Sequence, residues 1–193
     1  WVGMLNGRLY FWNRAEDRME MRWQASTPIT SFAVDQHDAL WIGTHGTGLY
    51  RLANSSPAAK PVPAIRVGVK PSEIPGKIVS RLHCDRQGHL WVATPQGLCR
   101  LDRANRRSAI YRTDPLTPGS LSGMLVNGFC EDSKDVLWIA TEGGGASRID
   151  LDRFGFAHIR MRDSLEANLV PAAIWGFSER RDGSVWVGTD AGL

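Results

Sequence analysis

The chain has 193 residues, 42% hydrophobic and 22% charged, with a formal net charge of +3. That length and apolar content suit one domain with a real core, and so slight a basic excess, spread along the chain, argues against a nucleic-acid-binding or polybasic membrane protein. No apolar stretch nears the ~18 residues of a membrane-spanning helix. The opening WVGMLNGRLY lacks the basic start and apolar middle of a signal peptide and does not begin with Met, so the chain reads as an excised or processed piece. Eight Trp and 20 Gly beside three Tyr prompt a search for a repeated strand-and-turn unit.

In chain order, Trp1 opens WVGMLNGRLYFW, Trp41 opens WIGTHGTGLYRL, Trp91 opens WVATPQGLCRLD, Trp138 opens WIATEGGGASRID and Trp186 opens WVGTDAGL. The copies lie 40, 50, 47 and 48 residues apart, a blade-sized period. Thr recurs at Thr44, Thr94, Thr141 and Thr189, and Met4 replaces it in the first copy. The segment NRAEDRMEM, residues 13–21, reads as a polar loop leading into an outer strand. Before each later Trp a mostly apolar run ends in an acid, at Asp35, Asp85, Glu131 and Glu179, and a short polar turn follows. After the Trp strand come an alternating segment such as LYRL or SRID, a variable linker and a weaker strand such as AIYR or FAHIR. Each period therefore predicts four short strands joined by Gly- or Asp-containing turns. Four-stranded units at this spacing, with a Trp to fill the space between sheets, predict an all-β chain of β-propeller blades. A sandwich, the main competitor, has no reason to repeat its sequence.

The string YRTDPLTPGSLSGMLVNGFCEDSKDVLWIATEGGGASRID, residues 111–150, resembles the two-component regulator propeller repeat. The features that carry the resemblance are Asp114-Pro115, Ser120-Leu121, Glu131-Asp132, Leu137 to Thr141 and Gly143 to Gly145. Five copies cover essentially the whole chain, the outer two partial. The expected blades are 1–27, 28–77, 78–123, 124–171 and 172–193. The resemblance implies an extracytoplasmic, periplasmic sensor attached to an inner-membrane protein of a bacterial two-component system. It also implies a seven-bladed ring, a histidine kinase or other output domain beyond this chain, a homodimeric receptor, and ligands among polysaccharide breakdown products. Seven blades at about 46 residues each would need about 320, so the expectation is a partial arc of about four blades whose partners include the remaining blades of the same chain.

Propellers bind ligands through innermost strands and the loops of one rim. If the innermost strand is the one ending in the acid, the position four residues earlier holds Ser31, Arg81, Asn127 and Trp175. This column varies in chemistry while the scaffold columns repeat, which is what a specific pocket requires, and these four residues are the candidate ligand contacts. Two residues before the acid stand Ala33, His83, Phe129 and Phe177, which read as core between blades, with His83 packed or hydrogen-bonded. The acids read as acceptors for turn N–H groups and the Thr hydroxyls as bonding across the hairpin. The hairpin tips at His45 to Thr47, Pro95-Gln96, Glu142 and Asp190 are expected at the opposite rim.

No catalytic residue, metal site or cofactor is predicted. The five His show no metal-ligand spacing, the three Cys read as buried small apolar residues, and EGGGAS at 142–147 lacks the G-K-S/T ending of a phosphate loop. Asn54-Ser55-Ser56 fits a glycosylation pattern with no meaning in a bacterial protein. The sequence thus predicts a non-enzymatic module that binds an oligosaccharide or other small solute and not nucleic acid. A protein-interaction scaffold, and a polysaccharide lyase or hydrolase, remain the alternatives.

Overall fold

The computed structural model describes residues 1–53, 59–64, 74–102, 107–114, 116–117, 119–151, 156–159 and 173–190. Among them every regular element is a strand. The Asn54-Ser55-Ser56 pattern, most of the Pro-rich linker and Pro115 of the repeat's lead-in lie outside the described residues.

The first sheet has three strands in sequence order, β1 (Val2–Gly3), β2 (Arg8–Asn13) and β3 (Arg18–Gln24). The next has four, β4 (Ile29–Val34), β5 (Leu40–Thr44), β6 (Leu49–Leu52) and β7 (Val62–Pro63). The third is β8 (Arg81–Cys84), β9 (His89–Thr94), β10 (Gly97–Asp102) and β11 (Arg107–Tyr111). The fourth is β12 (Val126–Glu131), β13 (Val136–Thr141), β14 (Gly145–Asp150) and β15 (Phe156–Ile159). The last is the pair β16 (Ile174–Glu179) and β17 (Val185–Thr189). All the registered pairings are antiparallel and join strands consecutive in sequence, as the four-strand reading of the repeat requires. The 13–21 segment departs from expectation: residues 14–17 form a tight turn and 18–21 already belong to β3, where Trp12 pairs with Met19 and Tyr10 with Met21. Alternation in RMEMRWQ is a strand period that the charges at Arg14, Glu16 and Asp17 obscured.

The chain divides into two compact units, Trp1–Pro95 with Cys99–Ile110, and Gln96–Leu98 with Tyr111–Leu193. In the first unit, sheets stack face to face. Leu9, Trp1, Trp23 and Ala25 of the first blade meet Ile29, Phe32, Leu40, Ile42 and Leu52 of the second. The opposite face of the second blade, with Trp41, Leu49 and Ala33, packs on Leu82, Leu90, Val92, Cys99 and Leu101 of the third. In the second unit Ala140 and Ala146 pack on Ile174, with Phe177 and Val187 at the edge of the cluster. Within each unit the core is therefore laid down between sheets, as alternating apolar positions on both faces of a strand require.

The glycine of the Trp strand has a steric cause. A Cβ on Gly43 would stand 2.6 Å from Cγ1 of Val79 in the next blade, and one on Gly3 would stand 2.5 Å from Cγ2 of Ile29. Only Gly lets neighbouring first and second strands approach so closely.

Candidate functional site

The first strand of each blade lies at the sheet edge, and these strands meet their counterparts: β4 lies against β8 in the first unit and β12 against β16 in the second. That is the convergence expected of the strands from which a propeller ligand site is drawn.

The turn after the first strand fixes the register. Asp35 N–H bonds Ala39 O, Asp85 N–H bonds His89 O, Asp132 N–H bonds Val136 O and Arg180 N–H bonds Ser184 O, each at 2.8 to 3.0 Å. Three residues on, Asp38, Gly88, Asp135 and Gly183 all have φ between 56° and 87°, a left-handed position suited to Gly and tolerated by Asp. The structural acid column is thus Asp35, Asp85 and Asp132, with Arg180 in the last blade. Glu131 and Glu179 sit one residue earlier, paired with Leu137 and Val185. The sequence reading slipped by one residue in these two blades because Glu131-Asp132 offers two acids in a row and Arg180 offers none at the equivalent place.

Each structural acid serves its own blade, as expected of the turn acids. Asp35 accepts from His37 N–H, Ala39 N–H and the Trp41 indole; Asp132 accepts from Lys134 N–H, Val136 N–H and the Trp138 indole. Asp85, buried, accepts from His89 N–H, the His89 ring and the Trp91 indole. Burial pushes the Asp35 carboxyl up, but the Ala39 N–H, the Trp41 indole, the His37 N–H and the Arg51 charge together hold it below the usual aspartate value. Asp132 is likewise raised by burial and lowered further by Trp138, Val136 and Lys134. Arg180 instead stacks its guanidinium 5.2 Å from the Trp186 ring centre, and Asp182 takes over the turn by accepting from the N–H and hydroxyl of Ser184.

With the register corrected, the four candidate ligand contacts fall into two columns. The first strand is bulged at the same place in three blades, where the pairing shifts between Ile29 and Ser31, between Val126 and Gly128, and between Ile174 and Gly176. Two residues of the bulged strand therefore face one on its partner: Thr30-Ser31 face Gly43, Asn127-Gly128 face Ala140, and Trp175-Gly176 face Gly188. Ser31 and Arg81 hold the second place, Asn127 and Trp175 the first.

Two of the four bind blade to blade. The Ser31 hydroxyl accepts from Leu82 N–H at 2.8 Å, and the Asn127 amide donates to Ile174 O at 3.1 Å. Thr30, which the sequence reading passed over, makes the matching bond to Val79 O at 2.5 Å. Arg81 is exposed and donates to Ser80 O at 2.8 Å. Trp175 is 58% exposed. His83 is half-buried opposite Trp91; burial lowers its pKa, Asp85 opposing and Arg86 adding to the effect. Ala33 packs on the third blade and Phe177 on the fourth, as expected of a column between blades; Phe32 and Leu82, in register with Phe177, pack on the preceding blade, so both faces of the first strand serve a junction.

The Thr column is a fold device, as expected: Thr44 and Thr141 hydroxyls donate across their hairpins to Gly48 O and Gly145 O at 2.7 and 2.8 Å. The hairpin tips are placed differently from expectation. His45 N–H bonds Pro28 O, Glu142 N–H bonds Leu125 O and Asp190 N–H bonds Ala173 O. Each tip is thus tied to the residue just before its own first strand, at the end that carries the bulge residues rather than the opposite one. Among the described residues no group of three or more His, Cys, Asp and Glu could hold a metal ion, and no helix is long and apolar enough to cross a membrane.

No curated protein matches the chain. The extracellular domain of BT3049 from B. thetaiotaomicron, assigned as a hybrid two component system, superposes with a TM-score of 0.69 at 19% identity, over 98% of this chain and 23% of its own. That of BT4673, from the same organism, gives 0.68 at 21% identity, over 96% and 23%. Virginiamycin B lyase from Staphylococcus aureus gives 0.64 at 12% identity, over 97% and 61%. The chain spans about a quarter of the first two domains, and these likenesses carry the fold alone, that of β-propeller blades. The two component regulator propeller model matches residues 73–96 and 120–143, stretches that contain the first two strands of the third blade and of the fourth. The third and fourth blades, where the acid turn and the Trp strand stand in register, thus carry stretches that match the two component regulator propeller repeat.

Proposed function

We propose that the chain is part of the extracytoplasmic, ligand-sensing propeller of a bacterial two-component sensor, binding a carbohydrate or other small solute without transforming it. The observation that carries this reading is the two component regulator propeller match at 73–96 and 120–143, supported by the likeness to extracellular domains of two component systems. Binding would act by population shift: a ligand held by rim residues of several blades favours one arrangement of a dimeric receptor, and the shift is limited by its differential affinity for the two. Ser31 and Asn127 then set blade spacing under the site, and Arg81 and Trp175 are the proposed solute contacts.

The remaining blades of the ring are further partners in this reading. Val2, Trp12, Met19 and Met21 are exposed on the first blade, whereas Ile42, the counterpart of Val2 in the second blade, is buried against the first. The last blade's Trp186 is 44% exposed, whereas Trp41 at the same place is fully buried.

Calorimetric titration of the intact protein with oligosaccharides, with the sugars recovered and analysed, tests the reading. Saturable binding with recovery of unaltered sugar is expected. Shortened or unsaturated products would make it a hydrolase or lyase, and saturable binding of proteins alone would make it a scaffold.

A further inference from the structure

We propose that the loop rim at His45, Lys77 and Arg81 is an anion subsite for an oligosaccharide that carries carboxylate or sulfate groups; the saccharide class rests on the function proposed above. Charge in the first unit is segregated by end. Its strands run between two ends, one carrying the hairpin tips and lead-in loops and the other the acid turns. The described loops at the tip end, residues 4–7, 25–28, 45–48 and 74–80, hold His45 and Lys77 and no Asp or Glu, and Arg8 and Arg81 open β2 and β8 there. The unit's described acids lie toward the other end. Asp35, Asp38 and Asp85 stand in the acid turns, Glu16 and Asp17 in the 14–17 turn, Asp102 at the close of β10, and Glu20 on β3 opposite Phe11. A rim whose ionised groups share one sign draws solutes of the other.

Three of these side chains gather at the junction of the second and third blades. Lys77 O accepts from Gly46 N–H at 3.0 Å and Gly48 N–H at 2.9 Å, Val79 N–H donates to Thr44 O at 2.9 Å, and His45 pairs with Ile78 in a β-bridge. The tip of one blade and the lead-in of the next thus form one hydrogen-bonded layer, on which His45 and Lys77 are exposed. Arg81 follows on the same chain, its Cα no more than about 14 Å from that of Lys77 however extended the backbone. Its Nη1 donates to Ser80 O at 2.8 Å, which keeps the guanidinium at the lead-in. Blades stack through their faces, so a rim stays open however many of them follow.

The other blades do not repeat the set. The place after the column Thr holds Pro95, Glu142 and Asp190, the place of Arg81 holds Ser31, Gly128 and Gly176, and the place of Lys77 holds Thr27 and Met124. The blade scaffold therefore requires no cation at any of the three, and their coincidence at one junction is the kind of local exception that marks function. Arg offers a planar fork for a carboxylate or sulfate, Lys a mobile point charge, and His an N–H in either tautomer. Donors spread along a lead-in suit an oligomer with charges on successive sugars better than one small anion.

The intact protein is titrated calorimetrically with oligogalacturonate, which carries carboxylates, with carrageenan oligosaccharides, which carry sulfates, with neutral malto-oligosaccharides and with inorganic sulfate. Saturable binding of an acidic oligosaccharide is expected, weakened about tenfold between about 0.02 M and about 0.5 M NaCl. Lys77→Gln and Arg81→Gln are each expected to weaken it about fivefold, with urea midpoints unchanged, while Lys77→Arg keeps most of the affinity. Lys60→Gln, at an exposed residue between β6 and β7 toward the other end, is expected to leave binding unaltered. Affinity unchanged in both Lys77→Gln and Arg81→Gln, or reduced equally by Lys60→Gln, overturns the subsite and leaves the sensor reading standing, as does tighter binding of the neutral oligosaccharides. No oligosaccharide binding by the unsubstituted protein, with or without binding of inorganic sulfate, overturns both the subsite and the carbohydrate class.

Discussion

The indole N–H of Trp41 donates to Oδ2 of Asp35 at 2.9 Å, and the same bond, always six residues long, joins Trp91 to Asp85 and Trp138 to Asp132 at 2.8 Å. The carboxylate that closes the turn thereby also orients the ring that fills the blade junction. Arg51 completes the arrangement in the second blade, its guanidinium 5.7 Å from the Trp41 ring centre and its Nε 3.8 Å from Asp35. One residue type thus couples a local element, the turn, to a tertiary one, the packing of one sheet on the next.

Asp85 is the most buried of the three acids, and removing it strands the Trp91 indole and the His89 N–H together. Asp85→Ala is expected to destabilise the protein by about 3 kcal/mol, the cost of leaving more than one buried donor unsatisfied. A urea-denaturation change below about 0.5 kcal/mol would show that the bond is not a stabilising one.

The last blade lacks the bond, which gives an internal control. Trp138→Phe removes a donor from a buried carboxylate and is expected to cost about 2 kcal/mol, while Trp186→Phe, from a more exposed ring stacked by Arg180, is expected to cost under about 1 kcal/mol. Equal costs in paired urea titrations would mean that the indole–carboxylate bond adds nothing to stability.

Acid should destabilise the chain in two stages. His83 is held below its ordinary value of 6.5, so its contribution is complete above that value and is lost as pH falls through the lower folded one. Asp35 and Asp132 are held below 3.8, and theirs is likewise complete above it and lost as pH falls further. Melting temperature against pH is expected to decline first below about 6.5 and again below about 4. His83→Asn should abolish the first decline and Asp35→Asn should shrink the second; an unchanged profile in both variants would contradict the linkage.

Gly43→Ala places a methyl group 2.6 Å from Val79 Cγ1 in a junction with no room to yield, and is expected to cost about 2 kcal/mol. Gly176→Ala, facing open space, should change stability by less than about 0.5 kcal/mol. Paired urea curves check the contrast, and a stable Gly43→Ala would mean that the two blades can separate without loss.

Much of the fold was legible because a blade is a local object. Trp41-Ile42-Gly43-Thr44 and its copies encode a strand, its buried face and its hairpin within about a dozen residues, and repetition makes even a weak strand signal readable. The candidate site was legible only in part. Counting back from Glu131 and Glu179 assumed a regular strand and an acid at a constant place. A bulge adds a residue that counting cannot see, and Arg180 stands where the other blades carry Asp. The left-handed positions Asp38, Gly88, Asp135 and Gly183 were the better ruler, since they align the blades by backbone shape rather than by charge.

The sequence by itself determined the strand order, the blade period, the Trp layer between sheets and the role of the Thr hydroxyls, because each depends on residues close in the chain. Tertiary structure decided which polar residues of the first strand face a neighbouring blade and which face solvent. Ser31 and Asn127 are occupied by Leu82 N–H and Ile174 O, partners about 50 residues away, while Arg81 is exposed. Hydrogen-bond partners of that kind are set by how one sheet lies on the next, which no local pattern records.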